Sequence, residues 1–254
     1  MSYEILPFPA ERKVIVDAGY LGARRHIFYG LVEVDVTQPR QVIQQRKAAG
    51  EDLSFTAYMV ACLARAIAEQ PHIQALQDWR GRLVVFHDVD VATLIEPAPG
   101  RAAIPHIIRE ANRKPVAEVS REIRSIQSRP ERSPQSGRLV RLAPRLPRWV
   151  RMLFYRLVML DPQRFRRLTG TVTVTSVGMF GRGGAWGITF LPMHTLGLTV
   201  GGIVQKPGVF EGQIAIREYV QLTAAFDHDV VDGAPAARFA RRFVEMVEEG
   251  ALLD

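Results

Sequence analysis

Phe226-Asp227-His228-Asp229-Val230-Val231-Asp232-Gly233-Ala234, near the C-terminus, decides how this chain is read. Before it, Val220, Leu222, Ala224 and Phe226 alternate with Gln221, Thr223 and Ala225, the period of a strand. After it, Phe239, Phe243 and Val247 share one face of a helix expected over 234–249. His228 therefore stands at a strand-to-helix corner, with Asp232 four residues on and Gly233 beside that acid. Histidine is the one side chain whose ordinary pKa lies near neutrality, and corners carry function more often than element interiors do. Those properties suit a general base. A histidine in a turn is more often a surface or structural residue, so the corner alone leaves both readings open. Asp232 also has two readings, a carboxylate that organises the corner or a helix N-cap. Gly233 and Ala234 are small enough to let a substrate arm or another backbone approach.

Outward from this corner the pattern is α+β. Strands are expected at 27–36, 83–95, 171–177, 196–204 and 214–226. Helices are expected from an N-cap at Ser54 to a stop at Pro71, and again over 115–128. The 254 residues, 47% of them hydrophobic, suffice for one sizeable core. A single unit over 1–254 is expected. No long uncharged apolar run predicts a spanning helix, and the start lacks the pattern of a signal peptide. The one cysteine, Cys62, shares an apolar helix face with Phe55, Met59 and Ala66 and reads as a core thiol. A cytoplasmic protein is expected, and no metal-ligating cluster is evident.

The charge is concentrated. The net charge is +7, yet residues 129–168 hold 11 arginines and two acids, making that window +9 and the remainder −2. Within it, 146–160 reads as a helix opened by Pro147 and closed by Pro162, carrying Arg148, Arg151 and Arg156 among apolar residues. It reads as a connection packed over the domain's own sheet or a neighbouring subunit, as a helix on an acidic membrane surface, or as a partner-binding element. Nucleic acid is not expected, because no binding motif accompanies the arginines.

Four blocks then line up in order. The corner, with its His-x-x-x-Asp-Gly, resembles the signature of the 2-oxo acid dehydrogenase acyltransferases (dihydrolipoamide acyltransferases), relatives of chloramphenicol acetyltransferase. Gly170-Thr-Val-Thr-Val-Thr-Ser-Val-Gly-Met-Phe-Gly181 is similar to that family's G-T-F-T-I-S-N-L-G-M-F-G. Phe28 to Thr37 resembles its first strand, with Ser54 to Pro71 at its first long helix. Ile104-Pro-His-Ile-Ile-Arg-Glu-Ala111 is similar to its P-V-I-R-D-A. The resemblance implies a chloramphenicol-acetyltransferase-like mixed sheet flanked by helices, and a homotrimer, with or without a larger cage, whose active sites lie between subunits. The 129–168 segment is an insert in those terms.

The resemblance also implies a reaction. An acyl group moves between coenzyme A and dihydrolipoamide or another thiol, by direct attack with no covalent acyl-enzyme. His228 would take the thiol's proton, with Asp232 organising the corner. The family's oxyanion donor is a serine hydroxyl from the neighbouring subunit, and its position here is Thr175. Read from its strand alone, Thr175 is an ordinary β-branched residue beside Thr171 and Thr173. Ser176 and Gly233 are the expected substrate-binding residues, although Ser176 points away from Thr175 if the strand continues. No lipoyl or subunit-binding domain is recognised. None of the four lysines sits in a D-K-A lipoylation context, so a lipoyl-carrying protein must bring any lipoyl-borne acyl group.

Three departures stand out. Asp229 replaces the family's arginine after the histidine, and an acid there would favour the imidazolium and weaken the base. Phe190-Leu191-Pro192 replaces N-P-P, and Arg12 to Arg25 is a poor match to the arginine-rich N-terminal helix. These, with Thr175 and the insert, motivate a second reading: a catalytically weak homo-oligomeric scaffold that docks a partner or membrane through the basic helix. A third is a small-molecule O-acetyltransferase, whose second histidine before His228 is missing.

Overall fold

The computed structural model describes residues 2–10, 12–97, 103–137, 142–177, 183–189, 191 and 193–253. In chain order its α-helices and strands are α1 (Arg12–Gly22), β1 (Ile27–Asp35), α2 (Thr37–Ala48), α3 (Phe55–Glu69), β2 (Leu76–Gln77), β3 (Leu83–Val84), β4 (Val91–Ile95), β5 (Ile104–Ile108), α4 (Val116–Ser128), α5 (Arg148–Met159), α6 (Pro162–Thr169), β6 (Val172–Ser176), β7 (Leu196–Phe210), β8 (Gln213–Asp227) and α7 (Gly233–Glu248). Six strands make one mixed sheet in the order β1-β8-β7-β6-β4-β5, parallel at β7/β6 and β6/β4 and antiparallel elsewhere. This is the α+β architecture that the sequence implied.

Alternation decides the two faces of the sheet. Val220, Leu222, Ala224 and Phe226 of β8 join Val172, Val174, Leu196 and Leu198 in the core with α3 and α7. α3 lies so deep that residues 57–64, Ala66 and Ile67 are all buried, and each fully buried Leu or Ile there contributes about 1.5–3 kcal/mol. Tyr58 ties α3 to α7 by donating to the Met246 and Val247 carbonyls. Cys62 is fully buried and burial pushes its thiol up to about 12, so it is a core residue. The opposite face of the sheet carries Thr173, Thr175, Thr199, Gln221 and Thr223, partly covered by 183–189. Close approach there needs glycine: a Cβ on Gly201 would sit 2.6 Å from the Ala185 carbonyl. A β-bulge falls at that place in β7.

Several expected elements are corrected. The single strand over 83–95 is two, a β2/β3 hairpin and then β4 in the main sheet. The break comes before Asp90, whose carboxylate is drawn to Arg109, Arg166 and the Glu110 N–H at 2.8–2.9 Å. Pro162 closes nothing: it opens α6, capped by Asp161, whose side chain accepts from the Gln163 and Arg164 N–H groups. Ser54 occupies the N-cap position of α3 without a side-chain bond. Its backbone N–H is instead held by the Ser120 hydroxyl at 2.9 Å. β7 and β8 run past the expected 204 and 214 into a hairpin, turned by Glu211 and Gly212 at φ 50° and 77°, the paired positive φ of a tight two-residue turn.

Helix α5 lies where the basic segment predicted a helix. Its Arg151 reaches a buried Asp17 of α1 at 2.6 Å, with Arg148 at 3.4 Å from the same carboxylate. Helix α5 is therefore anchored on the N-terminal helix and on α6, while residues 133–136 of the insert lie against β5 of the sheet, the Ser133 hydroxyl donating to the Pro105 carbonyl. Among the described residues, no helix is long and apolar enough to cross a membrane.

Candidate active site

The corner begins where the β1/β8 ladder ends, at Ile27 opposite Asp227. Asp227 builds the turn. Its N–H donates to the Thr195 carbonyl, and its own carbonyl accepts from Val230 and Val231. One carboxylate oxygen accepts the Asp229 N–H at 3.1 Å, and the other pairs with Arg25 at 2.6 Å. Arg25 also donates to the His194 carbonyl at 3.2 Å. Burial holds the Asp227 carboxyl above the usual range, outweighing the neighbouring Arg25 cation.

His228 leaves this turn with its N–H on the His26 carbonyl at 2.8 Å and its ring against Phe28, centroids 4.9 Å apart. The imidazole is half exposed, at 52%. Its Nδ1 lies 3.8 Å from Asp232 Oδ1, too far for a direct hydrogen bond. Asp232 occupies the N-cap position of α7 but makes no side-chain capping bond, so the capping reading of this acid is corrected. Its side chain is 82% exposed. A Cβ on Gly233 would meet nothing within 4 Å, so the space beside the corner is open.

Asp229 does not face His228. Its carboxylate is 2.8 Å from His26 Nδ1, and His26 is the imidazole whose pKa it raises, first through that hydrogen bond and then through its charge. The acid that follows His228 in sequence is thus engaged by another histidine. His194, nearby, is wholly buried against Phe165, and burial lowers its pKa to about 4.

Thr175 sits on β6, in register with Thr199 of β7, which pairs with Thr223 of β8. Thr175 and Thr199 share the face away from the helices, where Thr199 and Thr189 hydroxyls meet at 2.7 Å. Ser176 is in register with Val200, a core residue, and so lies on the other face. From Thr223 to His228 is about 16 Å of strand, and two strand spacings add about 10 Å across, so Thr175 and His228 are roughly 19 Å apart within one chain. The chain does not bring the two together by itself. The Gly178–Gly181 part of the turn after Thr175, with Phe190 and Pro192, lies outside the described residues.

A cleft of about 330 Å³ opens beside the corner, lined by Arg25, Trp79, Met159, Leu160, Phe165, Met193, Asp227 and Asp229 among others. A larger depression over Phe86, Arg109, Arg166 and Arg167 holds no expected site residue, and Asp90 pairs with two of its arginines. The sequence reading missed Arg25 and His26. A signal for them exists: they directly precede β1, and an antiparallel partner for β8 places its start against Asp227.

Comparison with known proteins places this geometry. A family model described as 2-oxoacid dehydrogenases acyltransferase (catalytic domain) matches residues 12–134 and 160–253, leaving 135–159 of the insert unmatched. The lipoamide acyltransferase component of the branched-chain alpha-keto acid dehydrogenase complex of Bacillus subtilis is 27% identical over 225 residues, covering 86% of this chain and 46% of the relative. The chain thus spans about half the length of the curated relatives it matches. A solved probable dihydrolipoamide acetyltransferase from Listeria monocytogenes shares the fold with a TM-score of 0.72 and 23% identity, covering 98% of this chain and 96% of that one. Chloramphenicol acetyltransferase follows at 0.55 and 15%, covering 96% and 97%. With both stretches matched and most of the chain covered, this chain belongs to the 2-oxoacid dehydrogenase acyltransferase catalytic-domain family.

Proposed function

We propose that the chain transfers an acyl group between coenzyme A and dihydrolipoamide or another thiol, with His228 as general base. The observation that carries this reading is the freedom of the His228 imidazole at the sheet's end. Phe28 holds the ring, Asp229 is bonded to His26, and among the described residues no hydrogen bond occupies the ring nitrogens. His228 takes the proton of the incoming thiol as its sulfur attacks the acyl carbonyl. The tetrahedral intermediate then collapses, the outgoing thiolate leaves, and the imidazolium returns the proton to it. No covalent acyl-enzyme forms.

The oxyanion of that intermediate needs a preorganised donor. We assign it to the Thr175 hydroxyl of a neighbouring copy, because one chain keeps Thr175 roughly 19 Å from its own His228. A homotrimer with sites between subunits supplies that arrangement. Asp232 acts on the corner by its charge rather than by a bond, and Gly233 leaves room for the thiol arm. Ser176, on the opposite face of β6, lies farther from that arm. The 1–254 unit acts as one catalytic domain, the 129–168 insert lying outside its chemistry. Lipoyl-borne acyl groups arrive on a lipoyl-carrying segment or protein outside these residues.

The test is thiol release from acetyl-CoA and longer acyl-CoAs with free dihydrolipoamide as acceptor, for wild type and His228→Ala. Turnover lost in the variant, with assembly intact, is the expected result. No turnover and no coenzyme A binding by wild type would sink the proposal in favour of the scaffold reading.

A further inference from the structure

The outward face of α5 is unaccounted for by the acyl-transfer chemistry. Trp149, Leu153, Phe154, Leu157 and Leu160 are all exposed, Trp149 at 71%. Their spacing keeps them on one side of a helix about 18 Å long. Exposed Arg145, Arg148 and Arg156 accompany the stripe, and residues 142–160 contain no acid. The other side of the helix is fixed: Arg151 is buried on Asp17, and Val158 packs with Phe165. The stripe is therefore a presented surface and not a face awaiting its own core. Leu160 belongs both to the stripe and to the cleft lined by Asp227 and Asp229, so the two share an edge. The family model leaves 135–159 unmatched, so this surface is particular to the chain's insert.

We propose that α5 docks this protein on an anionic lipid bilayer, lying in the interface plane. Charge complementarity selects that occupant. A second copy meeting the same face would set one +9 segment against another, and the remainder of the chain offers only a net −2. A bilayer meets both parts of the surface at once. The acyl boundary takes the Trp, Phe and Leu side chains, and anionic headgroups take the guanidinium groups. Docking this way needs no cavity and no matched set of acids on a protein partner.

The experiment is flotation of the intact protein with vesicles of phosphatidylglycerol and phosphatidylcholine in equal parts, against phosphatidylcholine alone, at low and high salt. Binding to the anionic vesicles only, weakened by salt and accompanied by a blue shift of tryptophan emission, is expected. Arg145→Glu with Arg156→Glu, and separately Leu153→Ser with Phe154→Ser, should each weaken vesicle binding at least about tenfold. Both pairs are solvent-exposed, and turnover of soluble acyl-CoA should be unchanged in them. Absence of vesicle binding by wild type overturns the proposal. So does equal binding to both lipids, or variants that bind like wild type. A smaller assembly in the Leu153/Phe154 variant with no change in lipid binding would also overturn it, pointing to a second copy on this face.

Discussion

His26 Nδ1 lies 2.8 Å from Asp229 Oδ1, across the edge where β1 begins and β8 ends. The acid next to His228 in sequence is thereby engaged by a different histidine. Both partners are exposed, so the pair contributes little to stability, and its value is in where it points Asp229. The raised His26 pKa fixes the sign of its pH dependence: its contribution is present below histidine's ordinary 6.5 and fades as pH rises through the higher folded value. An NMR titration should find the His26 midpoint above 6.5 in wild type and lower in Asp229→Asn. An unchanged midpoint in that variant would mean the pair does not form.

Arg25 neutralises Asp227 at the root of the same turn. Arg25→Ala should cost about 3 kcal/mol near neutral pH, because it leaves a buried carboxylate unpaired. Asp227 already binds its proton more tightly in the folded chain than its ordinary value allows. A carboxyl raised this way favours the folded state as pH falls and disfavours it as pH rises through the folded value. The loss in Tm should therefore shrink in mildly acidic buffer. A deficit that stays constant with pH would remove Asp227 as its cause.

The insert is held by the buried pair of Asp17 and Arg151 at 2.6 Å. Asp17→Ala should destabilise by about 3–5 kcal/mol, since it strands a buried guanidinium. Replacing both partners, as in Asp17→Leu with Arg151→Met, should cost less than either single change, because two apolar groups need no partner. Urea unfolding of wild type, Asp17→Leu, Arg151→Met and the double variant closes the cycle. Additive losses would mean that the two residues do not act as a pair.

How much of this was legible in the sequence depends on the reach of each signal. The β8 strand, α7 and the corner between them follow from local alternation in residues 220–247, and they stand within a residue or so of expectation. α2 escaped notice because Pro39 in its first turn and its few apolar residues hide the helical period, although proline is tolerated there. α6 was masked by reading Pro162 as a stop when it is a start. The site's local part, His228 with Asp232, is one run of chain. Its supports are not: Arg25 and His26 meet the corner across about 200 residues. Which of two histidines Asp229 would choose depends on that strand pairing, and no local pattern encodes it.

The separation of Thr175 from His228 makes the last prediction the most discriminating. If the oxyanion donor comes from a neighbouring copy, Thr175→Val should lower kcat by roughly 100- to 1000-fold, while Thr175→Ser keeps the hydroxyl and most of the activity. His228→Ala should abolish turnover without disturbing assembly. Neither Thr175→Val nor His228→Ala alone has an intact site, yet each retains what the other lacks. Co-expressed, they form mixed oligomers in which a wild-type His228 on one chain meets a wild-type Thr175 on the next. With random assembly about a quarter of the sites regain both groups, so kcat per site should return to about that fraction of wild type. Separately purified variants mixed without subunit exchange should stay inactive. Absence of recovery in verified mixed oligomers would show that Thr175 does not serve the His228 of another chain.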